Sequence, residues 1–216
     1  MKGSSRPSRQ EYCGGFSLVE AAVVLVVIGI ILGAVLQGRS LIESAEYKSF
    51  RQQLREYRSA FHDFRDRYNA LPGDFGDASV RLESGQTDGD GDGVIGDDSD
   101  GDWPGCSDAA DEPCMAWQHL RAAGMLSGNP DTGGADAQPG HPYGGVIASF
   151  FTGTGNNGDF GHKLLITNVP IEIAIRLDNE EDNARGNGGR IPGQTCDSSS
   201  AVHWRAVDTV DIVYAL

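Results

Sequence analysis

The sequence predicts an α+β protein. One long N-terminal helix, apolar in its first part and amphipathic in its second, packs on a small, loop-rich antiparallel sheet. Three observations carry this prediction. No proline interrupts residues 16–71, and Ala21 to Leu36 contain no polar side chain at all. Beyond them, Tyr47, Phe50, Leu54, Tyr57, Phe61, Phe64, Tyr68 and Leu71 recur at spacings of 3, 4, 3, 4, 3, 4 and 3. Finally, alternating apolar stretches rich in β-formers appear only after residue 145, separated by Gly-, Asn- and Asp-rich segments.

The apolar segment from Phe16 to Leu36 is interrupted only by Ser17 and Glu20. At about 1.5 Å per residue it reaches roughly 30 Å as a helix, enough to cross a bilayer core. Glu20 is an ionisable group inside that span, which is expensive and therefore marks a functional position. Gly29, Gly33 and Gly38 lie within or just beyond the span, and the Gly29–Gly33 pair has close-approach spacing. Plain membrane-helix glycine explains them equally well.

From residue 37 the helix changes character. Lys, Arg, Asp, Glu, Gln and Ser stand between members of the aromatic seam. The bulk of those aromatics, and the domain that follows at once, favour the core contact of a folded domain over a two-stranded coiled coil. Pro72-Gly73 is expected to end the helix.

After the helix come an Asp- and Gly-rich segment and then a short amphipathic helix over 111–126. Asp111 or Glu112 opens that helix, Pro113 stands in its first turn, and Trp117 and Leu120 face the core. Residues 127–145 read as loop. Residues 146–151 and 164–169 read as strands joined through 153–161. A second short helix spans 170–177, with Ile171, Ala174 and Ile175 at helical spacing. The chain closes with a predicted hairpin in which Val202, Trp204 and Ala206 precede Val210, Ile212 and Tyr214, turning near Asp208.

The N-terminal pattern has a further meaning. A basic leader ending in Gly14-Gly15, then Phe16, then Glu20 four residues on, then an apolar helix, resembles the prepilin-type cleavage and methylation signal. That signal belongs to type IV pilins and to the pseudopilins of type II secretion systems. The resemblance implies a pilin-like fold, cleavage after Gly15 by a prepilin peptidase, and N-methylation of Phe16. It also implies that Glu20 neutralises the Phe16 amine of a neighbouring subunit during assembly. Tyr68 to Asp74 (Tyr-Asn-Ala-Leu-Pro-Gly-Asp) resembles the helix-exit turn of bacterial prepilin-type proteins. The implied organisation is a cytoplasmic leader (1–15), an apolar transmembrane and filament-core helix (16–44), and a periplasmic or extracellular domain (45–216) that includes the amphipathic half of the helix. Implied partners are identical or related pilin subunits, the prepilin peptidase and an inner-membrane assembly platform. The implied location is the bacterial inner membrane as precursor, then a filament at the cell surface. Major pilin, minor pilin and pseudopilin share all of these features.

Charge and cysteines agree with an exported body. The chain of 216 residues has a formal net charge of −14. Without residues 1–15, which hold Lys2, Arg6, Arg9 and Glu11, 14 basic and 30 acidic residues remain, a net −16. So acidic a body is unsuited to nucleic acid, and no nucleic-acid partner is expected. The basic leader places the N-terminus on the cytoplasmic side. Cys13 lies in the leader, which leaves Cys106, Cys114 and Cys196 in a compartment that permits disulfides. Cys106–Cys114 would close a short loop around Pro113, and pairing of Cys196 with either is the rival arrangement.

Asp88-Gly89-Asp90-Gly91-Asp92-Gly93-Val94-Ile95 is the main candidate for chemistry. Alternating carboxylates with a glycine at the sharp turn can point three oxygens at one hard cation, and the Val94 carbonyl would add a fourth. The pattern resembles the first half of an EF-hand or thrombospondin-repeat loop. It departs from the EF-hand at Ser99, where a bidentate Glu would stand, so Asp97, Asp98 or Asp100 would have to complete the shell. Calcium in a structural role is the expected cofactor. A disordered acidic loop is the bland alternative, disfavoured because so many close carboxylates repel without a cation.

Catalytic signatures are missing from the sequence. The histidines lack ligand spacing, and a zinc site drawn from Cys106, Cys114 and His119 has no fourth ligand. No nucleophile elbow, phosphate loop or metalloprotease motif is present, and no enzyme is expected. The expected function is a filament subunit. A monomeric membrane-anchored calcium-binding surface protein is the alternative from a different class, and an anchored zinc enzyme is a third.

Overall fold

A computed structural model describes residues 17–82, 85–96, 106, 108–152, 161–181 and 209–216. Gly15, Phe16, Asp97, Asp98, Asp100 and Cys196, together with the first strand of the expected terminal hairpin, lie outside these residues. The chain divides into two compact units, Met1–Ala45 and Glu46–Leu216.

Helix α1 spans Leu18–Tyr68. Its part within the first unit is the apolar segment, and no residue there is buried. Leu18 is 90% exposed, Leu25 70% and Leu36 69%. By length and composition α1 is apolar enough to cross a membrane.

The part of α1 in the second unit buries the aromatic seam. Tyr47, Phe50, Leu54, Phe61 and Phe64 are buried, while Tyr57 and Tyr68 are partly buried against the same core. The helix stops three residues before the seam does. Asn69 takes the left-handed conformation (φ 53°) and its amide donates to the Arg65 carbonyl at 2.8 Å. A single left-handed residue just past the helix is a common way to end one, and asparagine tolerates it better than most residues. Leu71 still packs on the core from outside the helix.

Helix α2 (Ala78–Arg81), which the sequence pattern does not anticipate, follows the turn. Helix α3 (Glu112–Ala122) carries Pro113 near its start, as expected for a residue without an amide proton to satisfy. A single 3-10 turn covers Gly134–Ala137. The sheet is antiparallel in the order β1 (Ile147–Thr152), β2 (Gly161–Pro170), β3 (Thr209–Ala215). Helix α4 (Ile171–Glu181) leaves β2 directly and runs one turn longer than the periodicity predicts.

Period-two alternation assigns the strand residues to two faces. Ile147, Leu164, Ile166, Ile212 and Tyr214 join the main core, whereas Ala148, Leu165 and Val213 form a small cluster with Phe150. The register between β2 and β3 shifts between Ile166 and Val169, where Asn168 has φ 57°. Such an irregularity lets Val169 return to the buried side.

The ring contacts of α1 run to α3 and the loops rather than to the strands. Trp117 of α3 stands edge-on to Tyr57 and Phe61, with ring centroids 5.1 and 5.7 Å away. Phe50 meets His141 and Tyr143, and Phe64 meets Phe75. Helix α3 in turn adjoins β1, and α4 adjoins β2 and β3. Helix α4 is held to α1 by ion pairs from Arg51 to Glu180 and Glu181 (2.9 and 2.6 Å) and from Arg55 to Glu181 (2.7 Å). The Arg176 guanidinium also lies 3.8 Å from the centre of the Tyr47 ring.

Candidate functional site

Among the described residues, two places are candidates for a functional role. The first is the start of α1. Ser17 precedes the helix, and its hydroxyl accepts the Val19 amide at 3.3 Å. Glu20 lies in the first turn and is exposed, where a carboxylate is favoured by the unpaired amides of a helix N-terminus. Its neighbours in sequence, Leu18, Val19, Val23 and Val24, are exposed apolar residues.

The second is a carboxylate group inside the Glu46–Leu216 unit. Ligand oxygens from Asp74, Asp90 and Glu112 lie within 4.8 Å of one another. Three separate segments supply them: the turn after α1, the acidic loop 85–96, and the first turn of α3. Two glycines allow the segments to meet. Gly73 has φ 94°, and a side chain there would stand 2.6 Å from the Glu112 carbonyl oxygen. A side chain at Gly89 would run into the Gly73 carbonyl and lie 2.6 Å from the Asp74 Cα. The Gly89 amide donates to the Phe75 carbonyl at 3.1 Å, which holds the acidic loop along the turn.

His119 completes this scaffold. Its Nδ1 accepts the Gly73 amide at 3.0 Å, so Nε2 carries the proton and donates to the Thr87 carbonyl at 2.9 Å. The ring is fully buried, and burial pushes its pKa down. Both nitrogens are thus occupied in positioning backbone.

Hydrogen bonds orient the carboxylates. Glu112 Oε1 accepts the Asp90 amide at 3.2 Å and Oε2 accepts the Gly96 amide at 2.8 Å. Asp74 is only 4% exposed; Oδ2 accepts the Gly93 amide at 3.2 Å, while Oδ1 is buried with no hydrogen-bond partner. Burial pushes the Asp74 carboxyl up, and the negative charges of Asp92 and Asp90 push it further. Burial likewise raises Glu112, with Asp90 and Asp74 adding to it.

Among the described carboxylates singled out in the acidic loop (Asp88, Asp90 and Asp92), Asp90 alone joins this group. The Asp88 carboxylate instead accepts the Ser79 amide (2.7 Å) and hydroxyl (2.9 Å), which lowers its pKa. It satisfies an amide in the first turn of α2, a helix whose own preceding residue, Asp77, makes no capping bond. Asp92 Oδ1 accepts the Val94 amide at 2.9 Å, and Asp90 Oδ1 accepts the Asp92 amide at 3.1 Å. These are local turns of the loop backbone.

Asp74 and Glu112 are absent from the sequence-derived ligand set, although both stand in segments marked there for other reasons. The signal for them was their position, one in a helix-exit turn and one at a helix start, with no spacing that links them.

Cys106 and Cys114 form a disulfide, with Cα atoms 5.1 Å apart. A disulfide offers no thiolate to a metal, and His119 has no free nitrogen, so these three residues do not make a zinc site.

No family model matches the chain, and no curated protein or solved structure is significantly similar to it. What the fold itself defines is an α+β protein with a long N-terminal helix, membrane-compatible in its first part, and a small three-stranded antiparallel sheet.

Proposed function

We propose that this protein is a structural subunit of a type IV pilus-like filament. It is made as an inner-membrane precursor, cut after Gly15 by a prepilin peptidase, N-methylated on Phe16, and assembled through the first part of α1. The observation that carries this reading is the order of Gly15, Phe16 and Glu20 ahead of an unbroken apolar segment. Two structural facts support it. The apolar side chains of Leu18 to Leu36 are largely exposed, and so wide a hydrophobic surface requires lipid or neighbouring subunits to cover it. Glu20 is exposed in the first helical turn, free to meet the amine of an adjacent subunit. Leaving either charge unpaired in apolar surroundings is costly, so such a pair is position-specific, which suits it to setting subunit register.

Before assembly the partners are the membrane, the peptidase and an assembly platform; afterwards they are further copies or relatives of the same chain. A minor pilin or a type II secretion pseudopilin would share this chemistry. The test is intact mass and N-terminal fragmentation of protein recovered from sheared cell-surface material. A first residue of methylated Phe16 in polymer is the expected result. The Asp74–Asp90–Glu112 group favours a second reading, a monomeric membrane-anchored cation-binding surface protein. An unprocessed Met1 found only in membranes would select it and sink the filament reading.

A further inference from the structure

We propose that Asp74, Asp90 and Glu112 hold one calcium ion in a discontinuous site that joins the turn after α1, the acidic loop and the start of α3. The site does not depend on the filament reading. It differs from a contiguous loop site because two of its three carboxylates come from outside residues 88–100.

The geometry suits a hard divalent cation. Calcium–oxygen bonds are about 2.3–2.6 Å, so oxygens up to roughly 5 Å apart can share one ion. The three ligand oxygens lie within 4.8 Å of one another. All are carboxylate oxygens, and the nearby imidazole of His119 is committed at both nitrogens. An all-oxygen donor set selects calcium or magnesium over zinc or copper. Three carboxylates from separate segments, with no arrangement that imposes octahedral geometry, match the variable shell of calcium better than the strict octahedron of magnesium.

A second observation points to a ligand independently of the clustering. The Asp74 side chain is 96% buried, its exposure being 4%, yet Oδ1 has no hydrogen-bond partner. Buried polar oxygens are nearly always satisfied, and an orphan is costly. The charges acting on this carboxylate from the loop, Asp92 and Asp90, are negative and make its isolation worse. A cation held by the three residues gives the buried Asp74 carboxylate a counter-charge and offsets the repulsion from its acidic neighbours. The glycine contacts at 73 and 89 show that the backbone is built for this approach, since any side chain there would separate the three segments.

The experiment uses the full-length protein in detergent micelles, with calcium chloride as the probe. Isothermal titration and thermal melts are compared for the unmodified chain and for Asp74→Asn, Asp90→Asn, Glu112→Gln and Asp88→Asn. One equivalent of calcium is expected to bind. At about 100-fold excess over Kd it should raise the melting temperature by roughly 5 °C or more. Asp74→Asn, Asp90→Asn and Glu112→Gln should each weaken binding by about tenfold or more, whereas Asp88→Asn should leave it unchanged. Asp90 is exposed, so its variant removes a ligand without disturbing the core. Asp74→Asn should also melt higher than the unmodified chain in chelator, because it removes a buried charge from a repulsive group; a merely structural carboxylate would give the opposite sign. Absence of calcium binding by the unmodified chain overturns the proposal. So does binding that is lost in Asp88→Asn yet retained in Asp74→Asn and Glu112→Gln.

Discussion

The Gly73 amide donates to His119 Nδ1 at 3.0 Å, so a buried, neutral imidazole on α3 holds the turn that ends α1. His119 has a pKa lowered first by burial; its Thr87 hydrogen bond and the Asp88 charge oppose the shift. The unfolded chain therefore takes up a proton at this residue at higher pH than the folded protein does. Its stabilising contribution is complete above about pH 6.5 and is lost as pH falls below that value, at up to about 1.4 kcal/mol per pH unit. Asp74 and Glu112, raised by burial, act in the opposite sense. Comparison with His119→Gln cancels them, along with His141 and His162, which burial also lowers. The stability difference between the two proteins should shrink from pH 7 to pH 5. A difference independent of pH would contradict a neutral, buried His119.

Among the described residues Trp117 is the largest fully buried side chain, wedged against Tyr57 and Phe61 of α1. Replacing it with alanine leaves a cavity at the junction of α1 and α3 and should cost about 3–5 kcal/mol. Trp117→Phe should cost less than half as much, because the indole nitrogen makes no hydrogen bond that would be forfeited. Chemical denaturation of the detergent-solubilised protein measures both values.

Gly89→Ala places a methyl group against the Gly73 carbonyl and within 2.6 Å of the Asp74 Cα. Backbone atoms cannot swing aside as a side-chain tip can, so the acidic loop must move. The expected cost is about 1–3 kcal/mol, seen as a fall of several degrees in melting temperature. The same change at Gly91, where nothing lies within 4 Å but φ is 76°, tests conformational strain without the clash and should cost less.

Reduction of Cys106–Cys114 releases a constraint between residues eight apart in sequence. The entropy of so short a loop corresponds to about 2.5 kcal/mol, or roughly 5–10 °C in melting temperature. Melts with and without reductant, each referenced to a Cys106→Ser, Cys114→Ser double variant, check this.

Glu20→Ala should leave the protein stable in the membrane, since the Glu20 side chain is exposed. Filaments should be abolished or sharply reduced. Abundant normal filaments counted by electron microscopy of sheared material would refute the role proposed for Glu20.

Much of the architecture was legible in periodicity. The 3-4 seam from Tyr47 to Tyr68 marks the face of α1 that is buried, because helical geometry repeats on a local scale the sequence can display. Residues 146–151 and 164–169 fall within a residue of β1 and three residues of β2 at each end for the same reason. Helix α2 was not legible. It is four residues long, and the oxygen that receives its first-turn amide comes from Asp88, nine residues past Ser79. The ending of α1 at Tyr68 depends on the conformation of Asn69, while the seam continued to Leu71 because hydrophobic burial does not require the helix to persist.

Alone, the sequence determined the apolar and amphipathic halves of α1, the Glu20 position within the apolar half, the short helices α3 and α4, and the strand segments. Each rests on a local pattern of side chains and on backbone preferences acting over a few residues. Only the tertiary structure decided which carboxylates meet. Asp74, Asp90 and Glu112 are separated by 16 and 22 positions, and Asp88, though nearer in sequence to Asp90, is drawn away to Ser79. Gathering them depends on the close approach of backbone at Gly73 and Gly89 and on the His119 bridge, long-range contacts that have no period along the chain.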